Sequence, residues 1–247
     1  MENESNILTL TAVSEQPNSG PETETKPKRE FAQPRANQSR EMAERLVQVR
    51  TNITNVQADE ELAAVLAARG MDAAQLARGL ELQAAAATAY DLRQQAMGAQ
   101  QAATGALEMA VTEAVTAYTE FRAMARLALK TSAARTALGL NSEIPLDTEQ
   151  FMSQARAGYA AALENAEYLE ALTAYGYAVE RIRGLLTQIE MLYAPLAAAN
   201  QAKSGALRAT QVRNEAFAAM DDWYVHFKTI ARFAMRGRPD LKARLGL

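Results

Sequence analysis

Between Asp72 and Lys130 the chain contains no proline and is dense in alanine. Alanine is the best helix former, and proline is the residue that most surely ends a helix. Nothing in this stretch forces the backbone out of the α region. The pattern predicts one helix of nearly 60 residues, on the order of 90 Å at ~1.5 Å per residue. Gly79, Gly98 and Gly105 are its weak points, where a bend or a close helix contact is easiest. Apolar residues make up 49% of the chain but aromatics only 6%. Such a composition favours closely packed helices over a thick globular core, because alanine buries little area per residue.

The segment before this helix also reads as helical. Ser39 is followed by Glu41, Glu44 and an apolar series at Met42, Leu46, Val49, Ile53 and Val56, the pattern of an N-capped amphipathic helix. Asp59 opens a short helix that Gly70 closes, and Asp72 opens the long one. The long segment ends at Leu138-Gly139-Leu140, before the loop NSEIPLDTE.

The second half follows the same plan. At an offset of 106 residues, Arg50 meets Arg156, Leu66 meets Leu172, Gly70 meets Gly176 and Leu80 meets Leu186. The clearest block sets YTEFRAMARLAL, Tyr118 to Leu129, against YVHFKTIARFAM, Tyr224 to Met235. A constant offset over a long stretch is the mark of internal duplication. The second copy carries Pro195 where the first has Ala89, so a kink or break is expected near Ala194.

The C-terminal run DDWYVHFKTIARFAMRGRPDLKARLGL resembles a family of bacterial all-helical proteins with no established activity. The matching residues are Trp223, Phe227, Ile230-Ala231-Arg232, Ala234, Pro239, Leu241 and Leu245-Gly246, with looser matches at Gly176-Tyr177 and Thr210 to Arg213. Lys242-Ala243-Arg244 stands where that family is more acidic. The resemblance covers about the last two thirds of the chain and implies a helical fold, not an activity.

These readings divide the chain into a disordered or extended arm over residues 1–40, a helical unit over 41–141 and a second over 148–247. The arm carries Pro17, Pro21, Pro27 and Pro34 and too little apolar surface to offset its ordering entropy. Ile7, Leu8, Leu10 and Phe31 are its candidate anchors. The fold class expected is all-α: an elongated helical bundle of two tandem, pseudo-equivalent units with long antiparallel helices.

Chemistry-bearing motifs are scarce. There is no cysteine and one histidine, His226, which leaves too few ligands for the common zinc sites and for a ferritin-type di-iron bundle. Asp221 and Asp222 lie one turn before His226, but no nucleophile or phosphate loop accompanies them. No catalytic residue, metal site or cofactor is therefore assigned. Trp223, Tyr224, Phe227, Ile230 and Phe233, with Tyr118, Phe121, Met124 and Leu127 as their counterpart, form apolar stripes at helical spacing. Such stripes serve as core or as faces for a partner helix. Lys228, Arg232, Arg236, Arg238, Lys242 and Arg244 make the last residues basic, as Arg122, Arg126, Lys130 and Arg135 do at the end of the first unit. These charges suit helix C-termini, or else an anionic partner.

The expectation is a non-enzymatic scaffold or assembly subunit acting through protein–protein contacts, as a homo-oligomer or with a protein partner. The alternative is a protein that binds nucleic acid or an anionic membrane through its basic helix ends. The N-terminus does not read as a Sec-type signal peptide and no segment approaches a membrane span, so a cytoplasmic location is expected.

Overall fold

A computed structural model describes residues 34–247. The described chain is all-α, with no strand among the described residues. Its helices are α1 (Pro34–Ala58), α2 (Glu60–Ala67), α3 (Ala73–Ala128), α4 (Ser132–Ala137), α5 (Thr148–Glu164), α6 (Ala166–Thr173), α7 (Val179–Met191), α8 (Tyr193–Ala234) and α9 (Pro239–Leu245). The backbone divides after Glu41, and the packing below is that of residues 42–247. The arm anchors Ile7, Leu8, Leu10 and Phe31 lie outside the described residues. Helix α1 begins at Pro34, five residues before the expected cap at Ser39. Proline suits a first helical position, where an N–H would have no helical partner.

Local chemistry accounts for the boundaries. Asp59 caps α2 by accepting from the Glu61 and Leu62 amides, both at 3.1 Å. Asp72 caps α3 by accepting from the Gln75 amide at 2.9 Å. Asn165 does the same for α6, with Glu167 and Tyr168 as donors at 3.0 and 3.2 Å. Helices α2 and α6 close alike. The Met71 amide donates to the Leu66 carbonyl and the Tyr177 amide to that of Leu172, each at 3.1 Å. That geometry needs a left-handed residue in between, and Gly70 (φ +88°) and Gly176 (φ +82°) supply it.

Helix α3 is unbroken over 56 residues, about 84 Å at ~1.5 Å per residue. The run from Val179 to Ala234 is interrupted between α7 and α8, at Leu192, where the amide donates three residues back to Ile189 at 3.1 Å. The break falls just ahead of the expected Ala194. Pro195 conflicts with the carbonyl four residues before it, that of Met191, so the disturbance lies upstream of the ring.

Two separate hydrophobic cores form. The first joins α1, α2 and the start of α3 to the end of α8 and α9, around Ile53, Leu62, Leu66, Trp223 and Phe227. The second joins the end of α3 and α4 to α5, α6 and α7, around Phe121, Phe151, Tyr159, Leu172 and Ile182. Each core therefore draws on both halves of the sequence. Neither 41–141 nor 148–247 closes a core from its own residues.

Between the cores, α3 and α8 continue with little else over them. From Leu192, just before α8, the buried residues Leu192, Ala199, Ala206, Arg213 and Met220 recur every seven positions. Along α3, Ala89, Ala96, Ala103 and Ala110 are buried or half-buried at the same interval, and Arg93, Gln100, Leu107 and Ala114 fall between and beyond them in the same way. This is the spacing of a coiled-coil seam, and its alanines let the backbones approach closely.

Candidate interaction sites

The aromatic stripes go into the cores. Trp223, Tyr224 and Phe227 are 8%, 3% and 0% exposed, and Tyr118 and Phe121 are both 0%. These five are the candidate contact residues of the sequence, and they lie buried in the two cores. They bind this chain's own helices. Phe121 lies 4.8 Å from the Tyr159 ring and 5.4 Å from that of Tyr177, centroid to centroid. Trp223 stacks on Phe227 at 5.4 Å. Burial pushes the Tyr118 and Tyr224 hydroxyls above the usual tyrosine range. The Tyr224 hydroxyl donates to the Asn52 side-chain oxygen at 3.0 Å, and the Asn52 amide nitrogen donates to the Leu245 and Gln48 carbonyls, each at 3.2 Å. Phe233 departs from its stripe and is 58% exposed. It is one position off the buried face that Phe227, Ala231 and half-buried Ala234 follow.

The basic ends are largely committed within the chain. Arg238 bridges Glu61 at 2.6 Å and Asp240 at 3.0 Å. Arg244 pairs with Glu61 at 2.9 Å and with Asp59. These contacts tie α9 to the N-terminus of α2, where carboxylates also suit the helix dipole. Arg236 lies over the Phe233 ring at 5.6 Å, and Arg232 is exposed. At the other core, Arg122 donates to the carbonyls of Leu140, at 3.1 Å, and Ser142. Arg126 also donates to Leu140, and Arg135 to Leu129 at 2.9 Å and to Arg126 at 3.1 Å.

The carboxylates of the first cluster are held below their usual range. For Asp59 the Leu62 amide is the main cause and Arg244 adds to it; for Glu61 it is Arg238 and then Arg244; for Asp240 it is Arg238. A carboxylate whose folded pKa is depressed contributes stability above its unfolded pKa, and that contribution fades as pH falls through the folded value. The α2–α9 contact should therefore weaken below about pH 4.5, the ordinary glutamate value. Urea unfolding at neutral pH and at pH 3 tests this in wild type and in an Arg238→Gln, Arg244→Gln double variant. The variant should lose less stability on acidification. An equal loss in both proteins would mean that the pairs have no energetic weight.

Asp221 pairs with Arg45 at 2.9 Å. His226 and Asp222 are exposed, and no hydrogen bond joins His226 to either aspartate among the described residues. Among these residues there is no group of three or more His, Cys, Asp or Glu side chains placed to hold a metal ion. No helix among them is long and apolar enough to cross a membrane.

Sequence reasoning missed the charge asymmetry of the middle stretch. Between Arg93 and Arg122, α3 carries Glu108, Glu113 and Glu120 and no lysine or arginine. Between Tyr193 and Asn214, α8 carries Lys203, Arg208 and Arg213 and no carboxylate. None of Glu108, Glu113, Lys203 and Arg208 makes an ion pair among the described residues. Apolar side chains lie exposed beside them: Met109 and Leu207 are each 67% exposed and Val212 45%. A charge count along each helix would have shown the asymmetry. No family model, curated protein or solved structure matches the chain.

Proposed function

We propose that this chain is a non-enzymatic assembly subunit whose two-helix middle stretch pairs with the same stretch of a second copy. The observation that carries the reading is that stretch itself. It has an alanine-rich seam, exposed Met109, Leu207 and Val212, and opposite charges on its two helices, of which Glu108, Glu113, Lys203 and Arg208 make no ion pair among the described residues. A second copy laid with its α3 on this copy's α8 sets acidic against basic residues and covers the exposed apolar ones. A twofold axis then makes both contacts at once.

Internal duplication belongs to the same proposal. Adding 106 to the bounds of α2 gives those of α6, and the same step takes the end of α1 to the end of α5 and the start and end of α3 to the start of α7 and the end of α8. Tyr118 lies against Gly158 and Tyr224 against Asn52, again at that offset. An antiparallel course of α3 and α8 is supported by Gly79 facing Trp223 while Tyr90 faces Phe217. A cytoplasmic setting fits the absence of cysteine. The reading as a nucleic-acid or membrane binder has less support, because Arg238 and Arg244 are engaged by this chain's own carboxylates.

Light scattering on the full chain tests the pairing. Wild type should be a dimer or larger that weakens with added salt. Met109→Glu combined with Leu207→Glu should give a monomer of unchanged helicity. A wild-type protein that stays monomeric at high concentration refutes the proposal.

A further inference from the structure

We propose that the cleft beside the second core, formed by α3 and the loop after α4, binds the oxyanion of a phosphoryl group. The cleft has a volume of about 460 Å³ and is lined by Arg122, Arg126, Thr119, Ser142, Glu143 and Ile144 among others. The two arginines stand one helical turn apart on α3, so both guanidiniums reach the same side.

Arg122 is 3% exposed. Charged residues are almost never buried unless paired, and the usual partner is a carboxylate. Here neither Arg122 nor Arg126 has one: among the described residues no ion pair reaches either. Their hydrogen bonds go to the neutral carbonyls of Leu140 and Ser142. The Nε of Arg122 is buried and has no acceptor at all. The cleft thus holds two guanidinium groups without a carboxylate partner and an opening to solvent. Burial and the neighbouring Arg126 both disfavour the charge on Arg122, and an anion would relieve both.

Holding the loop does not by itself require two charges. At the first core, the carbonyls of Arg244 and Leu245, at the start of the terminal Leu245-Gly246-Leu247, accept from the neutral amide of Asn55, at 3.2 and 3.4 Å. Glu143 is the carboxylate at the rim. It is exposed and reaches neither arginine within ion-pair distance. No carboxylate among the described residues is the charge-matched occupant. Guanidinium forks suit phosphoryl oxygens, which accept two parallel N–H bonds. A free phosphate and a phospholipid headgroup share this chemistry.

The test uses the full chain with inorganic phosphate, read by calorimetry at constant ionic strength against chloride. It also uses vesicles of phosphatidylcholine with and without phosphatidic acid, read by sedimentation. Arg126→Gln is the main variant, because Arg126 is exposed and its loss leaves the core intact. It should weaken binding roughly 10- to 100-fold, the effect of losing a charge-assisted hydrogen bond. Glu143→Gln should tighten binding by removing the like charge at the rim. Arg232→Gln, an exposed arginine at the other core, should change nothing. Phosphate binding that depends on Arg126 supports the site with a free ligand. Binding only to phosphatidic acid vesicles, with the same dependence, supports it with a lipid headgroup. Absence of both in wild type and in Glu143→Gln, or binding indifferent to Arg126→Gln, overturns the proposal.

Discussion

Phe121→Ala is expected to destabilise the protein by about 3–5 kcal/mol. Phe121 is fully buried, and its ring touches three tyrosines held by three different elements: Tyr118 on α3, Tyr159 on α5 and Tyr177 before α7. Rings on separate helices cannot collapse together into the space that a truncated neighbour leaves, so most of the cavity persists. Phe227→Ala in the first core should cost a similar amount, since Phe227 is also fully buried and packs on Trp223 and Tyr224. The two residues belong to separate cores with no shared neighbour. Their losses in the double variant should therefore add within about 0.5 kcal/mol. Urea unfolding followed by circular dichroism measures all three. A loss below about 1 kcal/mol for Phe121→Ala would contradict the tight packing of the second core.

Gly79→Ala should destabilise although alanine is the better helix former. A Cβ at this position would lie 2.3 Å from two atoms of the Trp223 ring. The indole is pinned by Phe227 stacked beside it at 5.4 Å, so either the ring or the helix must shift. Overpacking of this kind costs about 1–3 kcal/mol. The same substitution at Gly98 or Gly105 meets no atom within 4 Å. There, helix propensity alone should act, stabilising by up to about 1 kcal/mol. Three identical changes in one helix thus differ in sign by what faces them. Trp223→Phe withdraws the clashing ring, so the cost of Gly79→Ala should largely vanish in that background. Thermal unfolding of the four single variants and the Gly79→Ala, Trp223→Phe double variant checks this. Stabilisation by Gly79→Ala in the wild-type background would show that the Trp223 ring does not press on Gly79.

Much of the backbone was legible in the chain because its causes are local. Asp59, Asp72 and Gly70 mark helix ends through groups within a few residues of themselves. The absence of proline from Asp72 to Lys130 permits the 56-residue helix, and Pro195 accounts for the break between α7 and α8 through a clash four residues away. The apolar spacing of Leu46, Val49, Ile53 and Val56 shows which face of α1 is buried. The α1 start at Pro34 was less legible, because the prolines and polar residues before it read as one continuous arm.

What packs against those faces was decided only by the tertiary structure. Helical periodicity says that a stripe must be covered, not which helix covers it. Trp223 and Phe227 could have formed an exposed stripe; the start of α3 and α1 take them instead. Arg238 and Arg244 look like largely free cations in sequence, with only Asp240 close by, yet both also reach carboxylates of Glu61 and Asp59 more than 170 positions away. Arg122 resembles a surface charge at the end of a helix, and burial came from the return of the Leu140–Ser142 loop over it. The amino-acid sequence determined the helices and their apolar faces, because hydrogen bonds and side-chain sterics act within a turn. The tertiary structure decided the two cores and the fate of each charge, because burial depends on contacts between segments far apart in the chain.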